Sequence, residues 1–376
     1  MTHRERALAA MRGMPVDRIP FIARMDLWHS YCRNAGTLPP RFRDGDLWRM
    51  QRELGVGIFG FGAWSGSFFR LEHPRTEIVK RSAGGETITE YHTPFGTLVE
   101  RERMAEELKE AAGTGARIEY PFKDDSDFDA LHFLIENARV VDATDEYGRW
   151  MEGIGDDGLA LPWAGHLPAQ QLMIRYMGYE RFYLELADNA SRVESLVDAL
   201  SAQYRQILGL AVRSTADAIE VGGNYDEQMT PPPVFDRFFA PLYREARQSF
   251  DAASKLLVVH GDGEMRGLLG RLRDCGVQVV EALTPEPMTS ARVPEVRRLW
   301  DGRVCLWGGI ASVTLTETFT DAEFERHLEG LFDAVAPGDR FILGFGDNVP
   351  TDALYHRILR AVEFWKERGV YPLPRR

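Results

Sequence analysis

The sequence of 376 residues predicts an α/β protein, a (β/α)8 TIM barrel that carries an antiparallel β-hairpin insertion near residues 75–125. Three observations predict this class. Short apolar runs of strand length recur along the chain, and several precede amphipathic helical stretches, as in parallel sheets. There are eight such runs, the number that a closed barrel of this type requires. No GxGxxG sequence follows the first strand, which disfavours the alternative, an open doubly wound sheet.

The predicted strands and helices follow one another along the chain. The strands are Ile19 to Ala23, Gly57 to Phe61, Leu159 to Trp163, Ala218 to Val221, Leu256 to Val259, Val277 to Glu281, Val304 to Trp307 and Phe341 to Leu343. Helices are predicted over residues 234–253, 264–275, 291–300 and 321–335 in the second half. We expect a single domain over residues 1–376, because barrels of this class often exceed the length of an average domain.

The insertion is predicted from polar and apolar residues that alternate along two segments. Glu77 to Arg81 and Glu86 to Tyr91 flank Gly84-Gly85, as in a hairpin, and Gly96 to Glu100 follows as a third strand. These segments lie between the second and third strands of the predicted barrel. Such a flap could cover the mouth of the barrel, or it could be a peripheral packing or dimer element.

Charge and composition exclude several classes of partner. The net charge is −12, from 57 acidic and 45 basic residues, which disfavours nucleic acids and anionic membranes. No apolar run approaches the roughly 18 to 20 residues that cross a bilayer. The three cysteines, Cys32, Cys275 and Cys305, are far apart and form no CxxC pair, which suits a reducing compartment. A cytoplasmic location is therefore expected.

Two glycine-flanked acidic motifs follow predicted strands and supply the catalytic candidates. His260-Gly261-Asp262-Gly263 follows the fifth strand, and Gly346-Asp347-Asn348 follows the eighth. If both strands belong to one barrel, His260, Asp262 and Asp347 converge at its mouth. These three side chains could bind a divalent metal. They could also form a metal-free hydrogen-bonding and acid–base cluster.

Other polar and aromatic residues near predicted strand ends are candidates for the same mouth. Arg24 is predicted to hold a substrate carboxylate, or else to form an ion pair with Asp26, which is itself a substrate-binding candidate. Glu281 is predicted as a fourth metal ligand or as a hydrogen-bonding partner of His260. Further predicted substrate contacts are Asn224, Trp163, His166 and Trp307.

With these residues in place, the chain resembles the uroporphyrinogen decarboxylase superfamily over nearly its whole length. The opening, residues 4–10 through Val16-Asp17-Arg18-Ile19-Pro20, is similar to the first helix and strand of that family. His260 to Gly263, the turn Trp307-Gly308-Gly309-Ile310 and the segment Gly346 to Pro350 follow its C-terminal half in order. Each motif alone is weak, and their order and spacing make the resemblance specific.

The resemblance points away from the true uroporphyrinogen decarboxylases. Those enzymes carry an Arg-Gln-Ala-Gly-Arg segment after the first strand, whereas this chain has residues 22–28 there, with Arg24 as the sole arginine. The corrinoid-dependent methyltransferases of the superfamily, which methylate thiols such as coenzyme M, bind zinc through a His-x-Cys pair and a later cysteine. Here Asp262 and Asp347 stand at the positions of those two cysteines, so the resemblance implies this branch with altered ligands.

The function expected from these observations is a metal-dependent methyl transfer of the corrinoid-dependent type. The metal, zinc first but with iron(II), manganese or nickel also open, would activate a thiol or other acceptor at the mouth. The resemblance further implies a small-molecule substrate, a corrinoid methyl donor on a partner carrier protein, and a homodimer. The alternative is a decarboxylase of a small or aromatic acid, with Arg24 holding the carboxylate and Asp347 or His260 handling the proton. A binding protein without turnover is a third possibility.

Overall fold

The computed structural model describes residues 1–61, 68–104 and 115–374. The strands are β1 (Ile58–Phe61), β2 (Phe69–Glu72), β3 (Glu77–Ala83), β4 (Glu86–Thr93), β5 (Gly96–Arg103), β6 (Ala116–Glu119), β7 (Arg139–Asp142), β8 (Gly158–Leu161), β9 (Ala218–Glu220), β10 (Leu256–His260), β11 (Val279–Leu283), β12 (Cys305–Ile310) and β13 (Phe341–Phe345). The α-helices are His3–Arg12, Asp26–Asn34, Leu47–Leu54, Phe128–Glu136, Thr144–Ile154, Pro168–Gln171, Tyr179–Asp188, Ala190–Arg213, Pro232–Phe238, Ala240–Ala252, Leu269–Asp274, Val293–Trp300, Asp321–Val335 and Tyr355–Arg368. Among the helices of these ranges, none is long and apolar enough to cross a membrane.

Parallel pairing runs around a ring of eight segments. The strands β9 to β13 form one parallel sheet, and β1 pairs with β8 in another. Single parallel bridges join Trp163 to Glu220, Ile22 to Gly57 and Phe21 to Leu343. The first of the eight segments is the short stretch around Phe21, which forms bridges rather than a strand; Pro20 there has no N–H to donate and only accepts from Leu343. The predicted α/β barrel is confirmed.

The interior of the ring changes character from one end to the other. Alternate strand residues, among them Ala218, Val258 and Val279, form one buried apolar cluster with residues of the first helix, His3–Arg12. Because side chains alternate in direction along a strand, the next inward positions on β9, β10 and β11 are Glu220, His260 and Glu281. The apolar interior therefore ends in a charged layer at the carboxyl ends of the strands.

The antiparallel insertion lies where the sequence predicts it, between β1 and β8. The strands β3, β4, β5 and β6 form a four-stranded sheet, one strand more than predicted. Residues 105–114 of the predicted insertion lie outside the described residues. The sheet packs against the helix Phe128–Glu136, and Arg117 donates a hydrogen bond to the carbonyl of Ile174 at 2.8 Å. The short strands β2 and β7 form a separate antiparallel pair.

Two predicted helices differ from those observed. The predicted helix 234–253 is two helices, and the break falls at Phe239, because Pro241 just beyond it has no N–H for an intrahelical hydrogen bond. The predicted helix 264–275 begins only at Leu269. Glu264 instead accepts hydrogen bonds from the backbone N–H and the hydroxyl of Ser290, and these bonds hold the residues before Leu269 in a turn.

Candidate functional site

His260 ends strand β10 and is held from behind by Glu281. The two residues are register partners on adjacent parallel strands, and Nδ1 of His260 lies 2.6 Å from Oε2 of Glu281. Each residue is 3% exposed. Because a carboxylate accepts, this hydrogen bond assigns the proton to Nδ1 and leaves Nε2 as the acceptor atom of the neutral ring. A Cβ at Gly223 would lie 2.6 Å from Cβ of His260, so a glycine is required beside the ring.

The other ring nitrogen of His260 faces two carboxylates. Nε2 lies 3.4 Å from Oδ2 of Asp262 and 3.7 Å from Oδ1 of Asp347. One ligand atom from each of the three residues lies within 4.8 Å of the others. Ligand atoms about 2.0–2.2 Å from a tetrahedral zinc lie roughly 3.3–3.6 Å from one another, so the cluster is close to the size of a zinc site. The predicted convergence is therefore present.

Asp347 is positioned by its backbone and by an arginine. It follows β13 with φ of 60°, an uncommon conformation for a residue other than glycine. Its Oδ1 lies 3.0 Å from Nη1 of Arg24, whose Nε in turn lies 3.3 Å from Oδ1 of Asp26. Asn348 donates to the same Asp26 oxygen at 3.2 Å. Arg24 therefore forms ion pairs with both Asp26 and Asp347. The pair with Asp26 was the predicted alternative to binding a substrate carboxylate.

The side of the cluster away from Glu281 is open. The side chain of Asp262 is 22% exposed and that of Asp347 is 42% exposed, whereas His260 and Glu281 are buried. A metal held by the three residues would therefore retain a coordination position accessible to a small molecule, as catalytic zinc sites do.

Electrostatics within the cluster are dominated by carboxylates. Burial alone would lower the pKa of His260, but Glu281 and Asp262 outweigh burial and raise that pKa well above its usual value. Burial raises the pKa of Asp347, against the opposing effect of Arg24. For Asp262 burial acts in the same direction, but the hydrogen bond with His260 outweighs it and lowers the pKa. Without another cation in the cluster, this raised pKa favours the imidazolium form of His260, with a proton on both ring nitrogens.

Glu220 is a member of this layer that sequence reasoning missed. It ends β9, is 1% exposed, and its buried Oε2 has no hydrogen-bond partner among the described residues. Burial and repulsion from Glu281 raise the pKa of Glu220 to about 8. The signal that could have found it is the inward alternation that places Ala218 and Glu220 on the same side of the strand.

The residues present fit a divalent cation. Four carboxylates, those of Glu220, Asp262, Glu281 and Asp347, surround one imidazole and one guanidinium, and two of their buried oxygens, Oε2 of Glu220 and Oδ1 of Asp262, have no hydrogen-bond partner among the described residues. An unpaired buried acid is costly, and a metal ion would supply the missing positive charge. The three residues that cluster here are those predicted as metal ligands, apart from Glu281. That residue contacts the far nitrogen of His260, in the position of an orienting partner rather than of a ligand.

The remaining predicted substrate contacts lie at different depths. Trp307 is 2% exposed, packs edge-to-face on Phe59 at 5.1 Å, and donates to the carbonyl of Ile22, which leaves little of its surface for a ligand. Asn224 is exposed in the irregular segment after β9, with φ of 55°. Trp163 and His166 contact each other edge-to-face, 4.7 Å between ring centres, just after β8.

Comparisons with known proteins bear on the family and the fold. The uroporphyrinogen decarboxylase (URO-D) family model matches residues 90–368. Among solved structures, a methyltransferase from Methanosarcina mazei is similar, with a TM-score of 0.60 over 98% of this chain and 99% of that chain, at 14% sequence identity. No curated protein matches the chain. The chain belongs to the uroporphyrinogen decarboxylase family.

Proposed function

We propose that this protein is a metal-dependent methyltransferase whose divalent metal is held by His260, Asp262 and Asp347. The single observation that carries the proposal is the 2.6 Å hydrogen bond between Glu281 and Nδ1 of His260, with Nε2 facing two carboxylates on the other side. A carboxylate that fixes the tautomer of a ligating histidine is the usual arrangement at protein zinc sites.

Each residue of the cluster has a distinct role in this proposal. Glu281 holds the proton on Nδ1, so that Nε2 offers its lone pair to the metal. Arg24 holds Asp347 through its 3.0 Å ion pair and limits the rotation of that carboxylate. Gly261 and Gly263 keep the backbone close: a Cβ would lie 2.5 Å from Val280 at the first position and 2.3 Å from Tyr225 at the second.

When bound, the metal would supply Lewis acidity, which lowers the pKa of a coordinated thiol or other acceptor. One nitrogen and two oxygen ligands suit zinc first and also accommodate iron(II), manganese and nickel. The exposed surface of Asp262 and Asp347 supports the entry of the acceptor on that side. The methyl donor in this proposal is a corrinoid on a partner carrier protein, which is consistent with the methyltransferase of similar fold.

One observation favours a second candidate, a decarboxylase. The pKa of Glu220 is raised to about 8, so its carboxyl group is protonated at neutral pH in the absence of a metal. Decarboxylation leaves a carbanion that needs a proton, and a neutral acid in the barrel mouth could supply it. In this candidate Arg24, already paired with Asp26 and Asp347, would bind the departing carboxylate.

Metal analysis of the purified protein separates the two candidates. The methyltransferase proposal expects about one divalent metal per chain, lost in Asp262→Asn and Asp347→Asn but retained in the exposed control Asp333→Asn. Addition of methylcobalamin and a thiol to the metal-loaded protein should then give the spectral change of demethylation. Absence of bound metal, together with release of carbon dioxide from a small aromatic acid, would instead establish the decarboxylase.

A further inference from the structure

A cavity of about 230 Å³ lies beside the barrel mouth, on the side where Trp163 and His166 follow β8. Its walls come from three parts of the chain: strand β2, the segment from Trp163 to Arg175, and the helix Ala190–Arg213. The lining residues that matter here are Phe69, Trp163, His166, Arg175, Gln203 and Ile207. Gln171 also lines the cavity, which therefore combines aromatic rings, two side-chain amides and one guanidinium.

The backbone that carries Arg175 is unusual. Residues Leu172–Tyr176 form a single π-helical turn, closed by a hydrogen bond of 2.8 Å from the N–H of Met177 to the carbonyl of Leu172. Such wide turns interrupt regular helices at a cost and occur often at functional sites. The turn thus gives an observation independent of the cavity that singles out the position of Arg175.

Arg175 supplies the positive charge of the cavity. Burial lowers the pKa of His166 to about 4, so its ring is neutral near pH 7. An acid that acts electrostatically on Arg175 is Glu100. That carboxylate already accepts a hydrogen bond from Tyr91 at 2.9 Å and lies 3.5 Å from Nε of Arg117. The charge of Glu100 is therefore shared with other groups, and Arg175 can still attract an anion.

The cavity and the metal-binding cluster share a wall. The indole of Trp163 donates to the carbonyl of Gly222 at 3.2 Å, and Gln170 donates to that of Gly223 at 2.5 Å. Gly223 in turn packs directly on His260. The bridge between Trp163 and Glu220 makes the two strand ends neighbours in the ring. A molecule in the cavity would therefore lie beside the cluster.

We propose that this cavity binds the ring and the acidic group of a small aromatic carboxylic acid beside the metal site. A carboxylate would pair with the guanidinium of Arg175, and the ring would pack on Trp163 and Phe69. The volume is below the roughly 300–1,000 Å³ of pockets for drug-sized ligands, which limits the ligand to about one ring.

Binding of benzoate, with benzamide as its uncharged counterpart, tests the proposal. Titration of the metal-loaded protein, followed by tryptophan fluorescence and calorimetry, should show saturable binding of benzoate at one site and weaker binding of benzamide. Arg175→Gln should weaken benzoate binding by about 10- to 100-fold, the effect of losing a charge-assisted pair, and leave benzamide nearly unchanged. Arg303→Gln, on the loop before β12, is the matched control and should bind both like the parent protein.

A second variant guards against loss of folding as the explanation. Ile207→Phe adds volume to the cavity wall without changing charge, and should weaken both probes alike while the far-UV circular dichroism stays the same. Equal binding of benzoate and benzamide, or unchanged benzoate binding in Arg175→Gln, would overturn the proposal, as would absence of saturable binding.

The outcomes for the cavity and for the metal site are separable. Asp262→Asn should lose metal but keep the fluorescence response to benzoate, because it does not line the cavity. Conversely, Arg175→Gln should keep its metal. In the parent protein, bound metal without any preference for benzoate over benzamide would disprove the cavity proposal alone, and a preference for benzoate without bound metal would disprove the proposed function alone.

Discussion

Two adjacent layers inside the same barrel have opposite chemistry. In the lower layer Ala218, Val258 and Val279 belong to one buried apolar cluster. Two residues further along the same strands stand Glu220, His260 and Glu281, each 3% exposed or less. Both layers are equally inaccessible to water, so burial alone does not distinguish them. The difference teaches that the lower layer stabilises the barrel by excluding water, whereas the upper layer retains charged groups that cost stability, as expected of a layer that binds a ligand in the proposed function.

The largest expected effect comes from His260 in the upper layer. His260→Ala removes the only imidazole of the proposed metal site among the described residues, so metal affinity should fall by more than the 10- to 100-fold expected for loss of an orienting partner. Val258→Ala, two residues earlier, should keep its metal and instead destabilise the fold by about 1–3 kcal/mol, through lost burial and a small cavity. Metal analysis and thermal unfolding measure both. Retention of metal by the first variant, or its loss in the second, would break the distinction between the layers.

The next effect sharpens the role of Glu281. Glu281→Gln can still accept a hydrogen bond from His260 but loses the negative charge, and metal affinity should fall about 10- to 100-fold. Competition with a chelator gives the affinity, and the exposed Glu317→Gln serves as the control. If Glu281 were itself a ligand, the loss should equal that in Asp262→Asn.

A smaller effect should appear in the pH dependence of stability of the metal-free protein. The raised pKa of Glu220, about 8, means that the folded state keeps a proton that the unfolded chain releases near its ordinary value of 4.5. The stability from this group is present at pH 4 and is lost as the pH rises towards 8. Glu220→Gln cannot ionise, so its Tm relative to the parent protein should increase between pH 5 and 8.5, on the order of a few degrees.

A constant Tm difference across that pH range would show that Glu220 ionises as an ordinary glutamate and that burial in the upper layer does not penalise its charge. Glu317→Gln, measured in the same chelator-treated state, should give a difference that does not change with pH.

The smallest effect is expected at the rim, where charges are hydrated. Asp26 is half-exposed and, in the part of the chain that the structure describes, is joined to the cluster through Arg24 and Asn348. Asp26→Asn should therefore change metal affinity less than about threefold, in keeping with the small contribution of exposed ion pairs. Chelator competition at low and moderate salt measures it, and a tenfold loss would mean that the rim belongs functionally to the buried layer.

The local pattern of the sequence was enough to predict the barrel and its insertion. Runs such as Leu256 to Val259 are apolar because both faces of a parallel strand are covered, and alternation in the insertion reflects a sheet with one face exposed. The glycine-flanked motifs around Asp262 and Asp347 likewise predicted the two strand ends that meet, since all parallel strands end at the same mouth. Helix boundaries were predicted less well from the sequence. The turn at Glu264, for example, depends on a contact with Ser290, a residue remote in sequence.

The sequence by itself determined which residue types stand at the carboxyl ends of the strands, because strand periodicity is a local property of the chain. Only the tertiary structure decided their partners. Register between β10 and β11 put Glu281 behind His260, and ring closure brought Arg24 to Asp347 across 323 positions. Packing buried Oε2 of Glu220 with no hydrogen-bond partner among the described residues. These contacts join segments that are far apart along the chain. The packing of the whole ring fixes the distances between them, and a short sequence pattern carries no information about that packing.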